Sequence, residues 1–256
     1  MENKALKTIN GFDKHKIKWG SASMFNQWIG APDVFVAQRI FKRRMEFGAA
    51  AKRGQATETG VVFVLARGET VALATEKAID QFNRETALDG DERRDIERDY
   101  IAPMIEQAVD ALKDYGEAEV PTGKQEKVTI LCRTPEWSLP IIGYLDFRFP
   151  RVSKIVDLKT TTRMPSVMSA AHQRQRAVYA KATGENVEFL YCTPKKAEIK
   201  ADGDVDALMA EIKTHLIRME KFLRLDDDMI RAIVPVLPDS FYWRGSEAVR
   251  AELFNL

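Results

Sequence analysis

The sequence predicts an α/β domain: a mixed central sheet flanked by helices, with a helical N-terminal annex. Three observations predict it. Short runs rich in β-branched and aromatic residues cluster between Lys127 and Cys192. Helical periodicity dominates before them, from Ser21 to Tyr115. A long amphipathic pattern, Val205 to Leu225, returns after them and reads as a core-packing helix.

A chain of 256 residues suits one large domain, or one with a helical annex. We read residues 1–256 as a single domain, with 1–20 as a basic arm and 69–118 as a helical insertion. The net charge is +1, so any surface for nucleic acid must be local. The two cysteines, Cys132 and Cys192, are too few for a four-cysteine zinc or iron–sulfur site. Both sit in apolar strand-like runs, as buried thiols do in a reducing compartment. No apolar run reaches the ~18 residues of a membrane span, and no signal-peptide core is visible at the N-terminus. The expectation is a cytoplasmic protein with no membrane partner.

Met1 to Trp19 is polar and basic, with Lys4, Lys7, Lys14, Lys16 and Lys18, and reads as a flexible arm or an edge strand. Ser21 or Ser23 caps a helix carrying Phe25, Trp28 and Ile29, which Gly30-Ala31-Pro32 breaks. Asp33 then caps a second helix, through Val34, Phe35, Ala37, Ile40 and Phe41. In Ala49 to Arg67, Gly54 and Glu58 share one helical face, ahead of the apolar run Val61–Leu65. Gly54 would let a strand or a substrate backbone come close. Glu58 reads either as a solvent-facing glutamate or as a carboxylate aimed at a site. Two amphipathic helices follow, one with Ala78, Ile79 and Phe82, the other with Met104, Ile105, Ala108 and Leu112. Asp89 to Asp99 between them reads as a solvated face. Pro121 and Gly123 mark a turn before the strand Lys127–Arg133.

The stretch that organises the chain is Ile141–Lys159, IIGYLDFRFPRVSKIVDLK. It reads as two strands around a turn at Pro150–Ser153. Asp146 lies in the first. Asp157 and Lys159 lie in the second, two residues apart and so on one face. Carboxylates in apolar company are costly unless paired or bound to a metal. Ser166 caps the next helix, which Gly184 closes. Within it Gln175 and Tyr179 share a face at i and i+4, flanked by Arg174 and Arg176, with His172 just before. Val187–Cys192 is another buried strand. Pro235, Pro238 and Phe241–Arg244 form a non-periodic tail whose aromatics either stack on bases or pack on the core.

Asp146, then Asp157-Leu158-Lys159, resembles the core motif of the PD-(D/E)XK nuclease superfamily. Gly54/Glu58 before it and the QxxxY pair Gln175/Tyr179 after it resemble the flanking motifs of its RecB-like group, and occur in the same order. The chain is thus similar to phage-type exonucleases of that group, from about Ser21 to Cys192. That resemblance implies a restriction-endonuclease-like αβββαβ core and a metal-dependent deoxyribonuclease, an exonuclease of recombination, repair or phage DNA processing. It implies Mg²⁺, with Mn²⁺ able to substitute, held by Glu58, Asp146, Asp157 and the Leu158 carbonyl. Lys159 would orient or deprotonate the attacking water, its pKa lowered if the site is dry. Gln175 and Tyr179 would position the scissile strand, and Arg53, Arg174 and Arg176 would hold the DNA backbone. Some relatives carry an iron–sulfur cluster. No cysteine precedes Cys132 here, so no cluster is expected. Partners implied are DNA, a single-strand annealing protein or helicase, and a second copy of the chain. A nucleic-acid-binding module with an inactive nuclease fold and a structure-specific endonuclease remain the alternatives.

Overall fold

The computed structural model describes residues 10–45, 47–88, 90–120, 125–134 and 138–255. Lys4 and Lys7 of the arm, Asp89 of the charged turn, and Pro121 and Gly123 lie outside the described residues. The chain opens with α1 (Gly11–Lys14) and the two-residue β1 (Gly20–Ser21), then α2 (Ala22–Gly30), α3 (Pro32–Arg39) and α4 (Ala49–Leu65). Three further helices follow: α5 (Val71–Glu85), α6 (Arg94–Asp99) and α7 (Ile101–Leu112). Four strands come next: β2 (Glu126–Arg133), β3 (Ser138–Leu145), β4 (Phe147–Phe149) and β5 (Lys154–Thr160). Then α8 (Ala170–Thr183) leads to β6 (Asn186–Cys192) and β7 (Ala197–Lys200). The chain ends with α9 (Val205–Leu223), α10 (Asp227–Ile233) and α11 (Glu247–Phe254).

The protein is mixed α/β. Its strands form two sheets, ordered β1-β3-β2 and β4-β5-β6-β7. In the second, β5 and β6 run parallel, while β4 and β7 are antiparallel to their neighbours. The strand expected around Asp146 is therefore interrupted. β3 ends at Leu145, Asp146 is a bend, and β4 resumes at Phe147 in the other sheet.

The chain divides into two compact units. One comprises Met1–Glu46, Thr129–Ile142 and Asp206–Leu256. Within it, Phe12, His15 and Ile17 are buried, so residues 11–17 are packed rather than a free arm. The Gly11 N–H donates to Glu220 Oε1 at 3.0 Å, and Lys14 pairs with Asp227 at 2.8 Å. Ser21 caps α2, accepting from the Met24 N–H. Asp33 does not cap α3, which begins at Pro32. Its buried carboxylate instead accepts from the Leu237 N–H and Trp243 Nε1, both at 2.8 Å. Trp243 thereby joins a core of Ala31, Val34, Ala37 and Leu253, which accounts for one tail aromatic as packing.

The other unit comprises Phe47–Val128 and Gly143–Val205. Here α4 packs on β5 and α7 on β6, with α5 against both helices, and Val61, Phe82, Met104 and Ile105 share one core with Phe147, Val156, Leu158 and Leu190. Covered on both faces, Ile155–Leu158 of β5 is buried throughout, as parallel strands are. Glu97 departs from the solvated face expected for residues 89–99. It is fully buried between Arg53 and Arg93, and compensating charge makes that burial tolerable. The helix after β5 starts later than expected, at Ala170, because Ser169 caps it and not Ser166. Gly184 closes it at φ +72°.

Candidate active site

The second unit gathers the predicted acidic residues and the lysine. Strand β5 turns Asp157 and Lys159 to one face, opposite Val156 and Leu158, whose side chains enter the helix-covered core. β4 pairs with β5 only as far as Val156. Beyond it the Leu158 N–H lacks a β4 partner, and Asp146 Oδ2 accepts it at 2.9 Å. The bend at Asp146 thus completes the edge that the short strand leaves open.

Glu58 enters from α4. Gly54, one turn earlier, allows that approach: a Cβ there would stand 3.1 Å from Thr160 Oγ1 at the end of β5. One residue then links two carboxylates. Gln125 Nε2 donates to Glu58 Oε1 and to Asp146 Oδ1, each at 2.7 Å. Asp157 Oδ1 is buried, takes no regular hydrogen bond among the described residues, and faces the Lys159 ammonium in an ion pair. Its Oδ2 accepts from Gln175 Nε2 at 2.9 Å, and the same nitrogen donates to Tyr179 Oη at 2.8 Å. The Gln175/Tyr179 pair therefore acts on Asp157. Tyr179 is buried, its ring pressed on Gly143.

Three carboxylates share one ammonium, and their acidities record the imbalance. Burial raises the pKa of Asp146 well above the usual carboxylate range, and repulsion from Asp157 and Glu58 adds to it. Burial raises Asp157 as well, against the pull of Lys159. Glu58 is raised by burial and by Asp157, with the Gln125 bond opposing. Lys159 reverses the expectation of a lowered pKa. Burial does lower it, but attraction from Asp157, Asp146 and Glu58 together outweighs burial and raises it. In this arrangement Lys159 is an ammonium.

The arginines are engaged internally. Arg53 is 4% exposed, ion-paired with Glu97 and donating to Thr160. Arg174 is buried too. Arg176 spends its guanidinium on the Val187 and Gly203 carbonyls, at 2.9 and 3.0 Å. These contacts anchor Arg53 and Arg176 to the protein's own groups. Gln125, Gln175, Lys159 and the Leu158 N–H hold the carboxylates, and among the described residues no group of three or more His, Cys, Asp or Glu side chains forms a ready-made metal cage.

Sequence reasoning missed Gln125. A lone glutamine beside a turn carries no periodic or motif signal. It also missed the link between His172 and Tyr191, residues 19 apart whose side chains meet at 2.6 Å. The parallel register that sets Lys159 beside Tyr191 is the tertiary fact behind that link.

No family model matches the sequence, and no curated protein matches it. A solved structure described as "Crystal structure of SSO0001" is similar over 74% of this chain and 87% of that chain. The sequence identity is 12% and the TM-score 0.36. No helix among the described residues is long and apolar enough to cross a membrane.

Proposed function

We propose that the chain is a metal-dependent nuclease with a restriction-endonuclease-like core, hydrolysing phosphodiester bonds of DNA as an exonuclease. One observation carries this reading. Glu58, Asp146, Asp157 and Lys159 come from three separate segments and meet in one buried, hydrogen-bonded cluster that Gln175 and Tyr179 complete.

The residues fit a hard divalent cation. The donors are oxygens, the carboxylates outnumber the ammonium, and Asp157 Oδ1 is buried without a regular hydrogen bond. The Gln125 amide lies within 2.7 Å of two of those carboxylates, as a neutral placeholder for shared positive charge. Glu58, Asp146, Asp157 and the Leu158 carbonyl would hold Mg²⁺, or Mn²⁺ in its place. Such an ion, when bound, lowers the pKa of a coordinated water and offsets charge on a phosphate.

The chain's own residues supply the rest. Lys159, kept protonated by its acidic neighbours, stabilises negative charge developing on a phosphate oxygen. It is not the base. Gln175 fixes the rotation of Asp157, and Tyr179 fixes that of Gln175. Burial of Asp146 and Asp157 keeps bulk water from screening these charges.

The test is incubation with linear and with covalently closed circular DNA in Mg²⁺, Mn²⁺ or EDTA. Loss of the linear form alone, in either metal and not in EDTA, is the expected result. Cutting of both forms would make it an endonuclease. Cutting of neither would remove the nuclease reading.

A further inference from the structure

Beside the carboxylate cluster lies a cavity of about 320 Å³, bordered by Lys159, Thr160, Arg163, Ser169, His172 and Tyr191. Its lining is largely apolar surface, Pro165 included, into which the cations Lys159 and Arg163 and a few hydroxyl groups are set, and among the described residues no carboxylate lines it. Lys159 holds its ammonium 5.2 Å from the centre of the Phe189 ring, next to this space. Arg163 is exposed at its rim. The first turn of α8, with Ser169 as its cap, borders it too, adding the positive end of a helix dipole.

His172 is the informative wall. Its Nδ1 lies 2.6 Å from Tyr191 Oη. The direction of that bond follows from the tyrosine's other contact. A backbone hydrogen bond from Ser169 favours negative charge on the Tyr191 oxygen, so it is an N–H donated to that oxygen. The hydroxyl hydrogen is then free to go to Nδ1. Burial pushes Tyr191 up to about 12 and holds His172 down at about 4, so the phenol keeps its proton and the imidazole is neutral. A neutral imidazole that accepts at Nδ1 must carry its hydrogen on Nε2. That N–H has no partner among the described residues. The result is a fixed neutral donor in a cavity that Lys159 and Arg163 also line.

We infer that this cavity is a phosphoryl-binding site, in which His172 donates its Nε2–H to a phosphate oxygen flanked by Lys159 and Arg163. The inference rests on the nuclease reading for its biological source, since a strand phosphate and a free nucleotide share this chemistry. The volume lies at the lower end of the roughly 300–1,000 Å³ of ligand pockets, which suits one nucleotide unit.

The test is calorimetric titration of metal-free protein with a nucleoside 5′-monophosphate, inorganic phosphate and the unphosphorylated nucleoside. Both phosphates should bind, and the nucleoside should not. His172→Phe keeps the ring and loses the donor, and should weaken phosphate binding about tenfold, the scale of one hydrogen bond to a charged group. His172→Gln, which restores an N–H, should recover most of it. Arg163→Ala, an exposed change that spares the core, should weaken binding without lowering the melting temperature. The inference is overturned if the nucleoside binds as well as its monophosphate, if neither phosphate binds, or if either His172→Phe or Arg163→Ala binds like wild type. DNA cleavage is measured separately. His172-dependent phosphate binding without cleavage upholds the inference and sinks the nuclease reading. Cleavage without such binding does the reverse. Competition between the monophosphate and linear DNA for the site identifies the strand as the source, and its absence identifies a free nucleotide.

Discussion

Gly143→Ala is the sharpest structural prediction. Gly143 lies in β3, buried beneath the Tyr179 ring. A Cβ at this position would stand 2.3 Å from Tyr179 Cε1, 2.9 Å from Cδ1 and 3.3 Å from Val128 Cγ2. Ordinary contacts begin near 3.4 Å, so the ring or the strand must move by about 1 Å. Gly143 has no left-handed φ, so the effect is one of space and not of backbone conformation. Overpacking of this kind costs about 1–3 kcal/mol. At roughly 2–4 °C per kcal/mol for a chain of this size, the melting temperature should fall by roughly 4–8 °C for a ~2 kcal/mol cost. The same displacement pulls Tyr179 Oη from Gln175, and so releases Asp157. Misplacement of that order costs about a hundredfold in rate. Thermal melts and initial cleavage rates read the two effects. The control is the same substitution in a Tyr179→Ala background, where the obstacle is gone and Gly143→Ala should be nearly neutral. Equal losses in both backgrounds, or wild-type melting and rate in the single variant, would refute the reasoning.

Three further predictions follow from the charges. The raised carboxylates make the folded chain bind more protons than the unfolded one, between the ordinary carboxylate range and their raised values. Their contribution to metal-free stability therefore falls as pH climbs through that window. In denaturant unfolding from about pH 4 upward, Asp146→Asn should show a shallower fall than wild type, and parallel curves would count against the crowding argument. Mg²⁺ at about a hundred times its Kd should stabilise wild type by about 2.7 kcal/mol and Asp157→Asn far less, as judged by melting against EDTA, with equal gains contradicting the assigned ligands. Arg53→Ala leaves buried Glu97 with only half-exposed Arg93, and should cost about 3 kcal/mol in urea unfolding. The paired change Arg53→Met with Glu97→Leu should cost much less, because it removes both buried charges. A null effect of Arg53→Ala would show that Arg93 alone suffices.

What was legible in the sequence was what local pattern encodes. Alternation in β5 sets Asp157 and Lys159 on one face, and the four-residue spacing sets Gly54 and Glu58 on one side of α4. Gly184 marked the end of α8. What was illegible depended on partners distant in sequence. Glu97 sits in a run of charges that reads as solvated, and only the approach of Arg53, 44 residues away, makes it a buried group. Phe12 and Ile17 stand among lysines that read as a free arm, yet α9 gives the adjacent Gly11 a partner in Glu220. The break at Asp146 was hidden because its flanks are equally strand-like. The sign of the Lys159 shift was missed because the expectation rested on a dry site alone, whereas three carboxylates act on the lysine together. Gln125 and the Tyr191–His172 bond belong to the same class, since neither has a local signature.

The most direct measurement is cleavage of end-labelled linear DNA by wild type, Asp157→Ala and Lys159→Ala, with Mg²⁺ and with EDTA, each variant checked for folding by circular dichroism. The account predicts Mg²⁺-dependent release of label by wild type, and none by either folded variant. Wild-type rates in folded Asp157→Ala, or equal cleavage in EDTA, would contradict it.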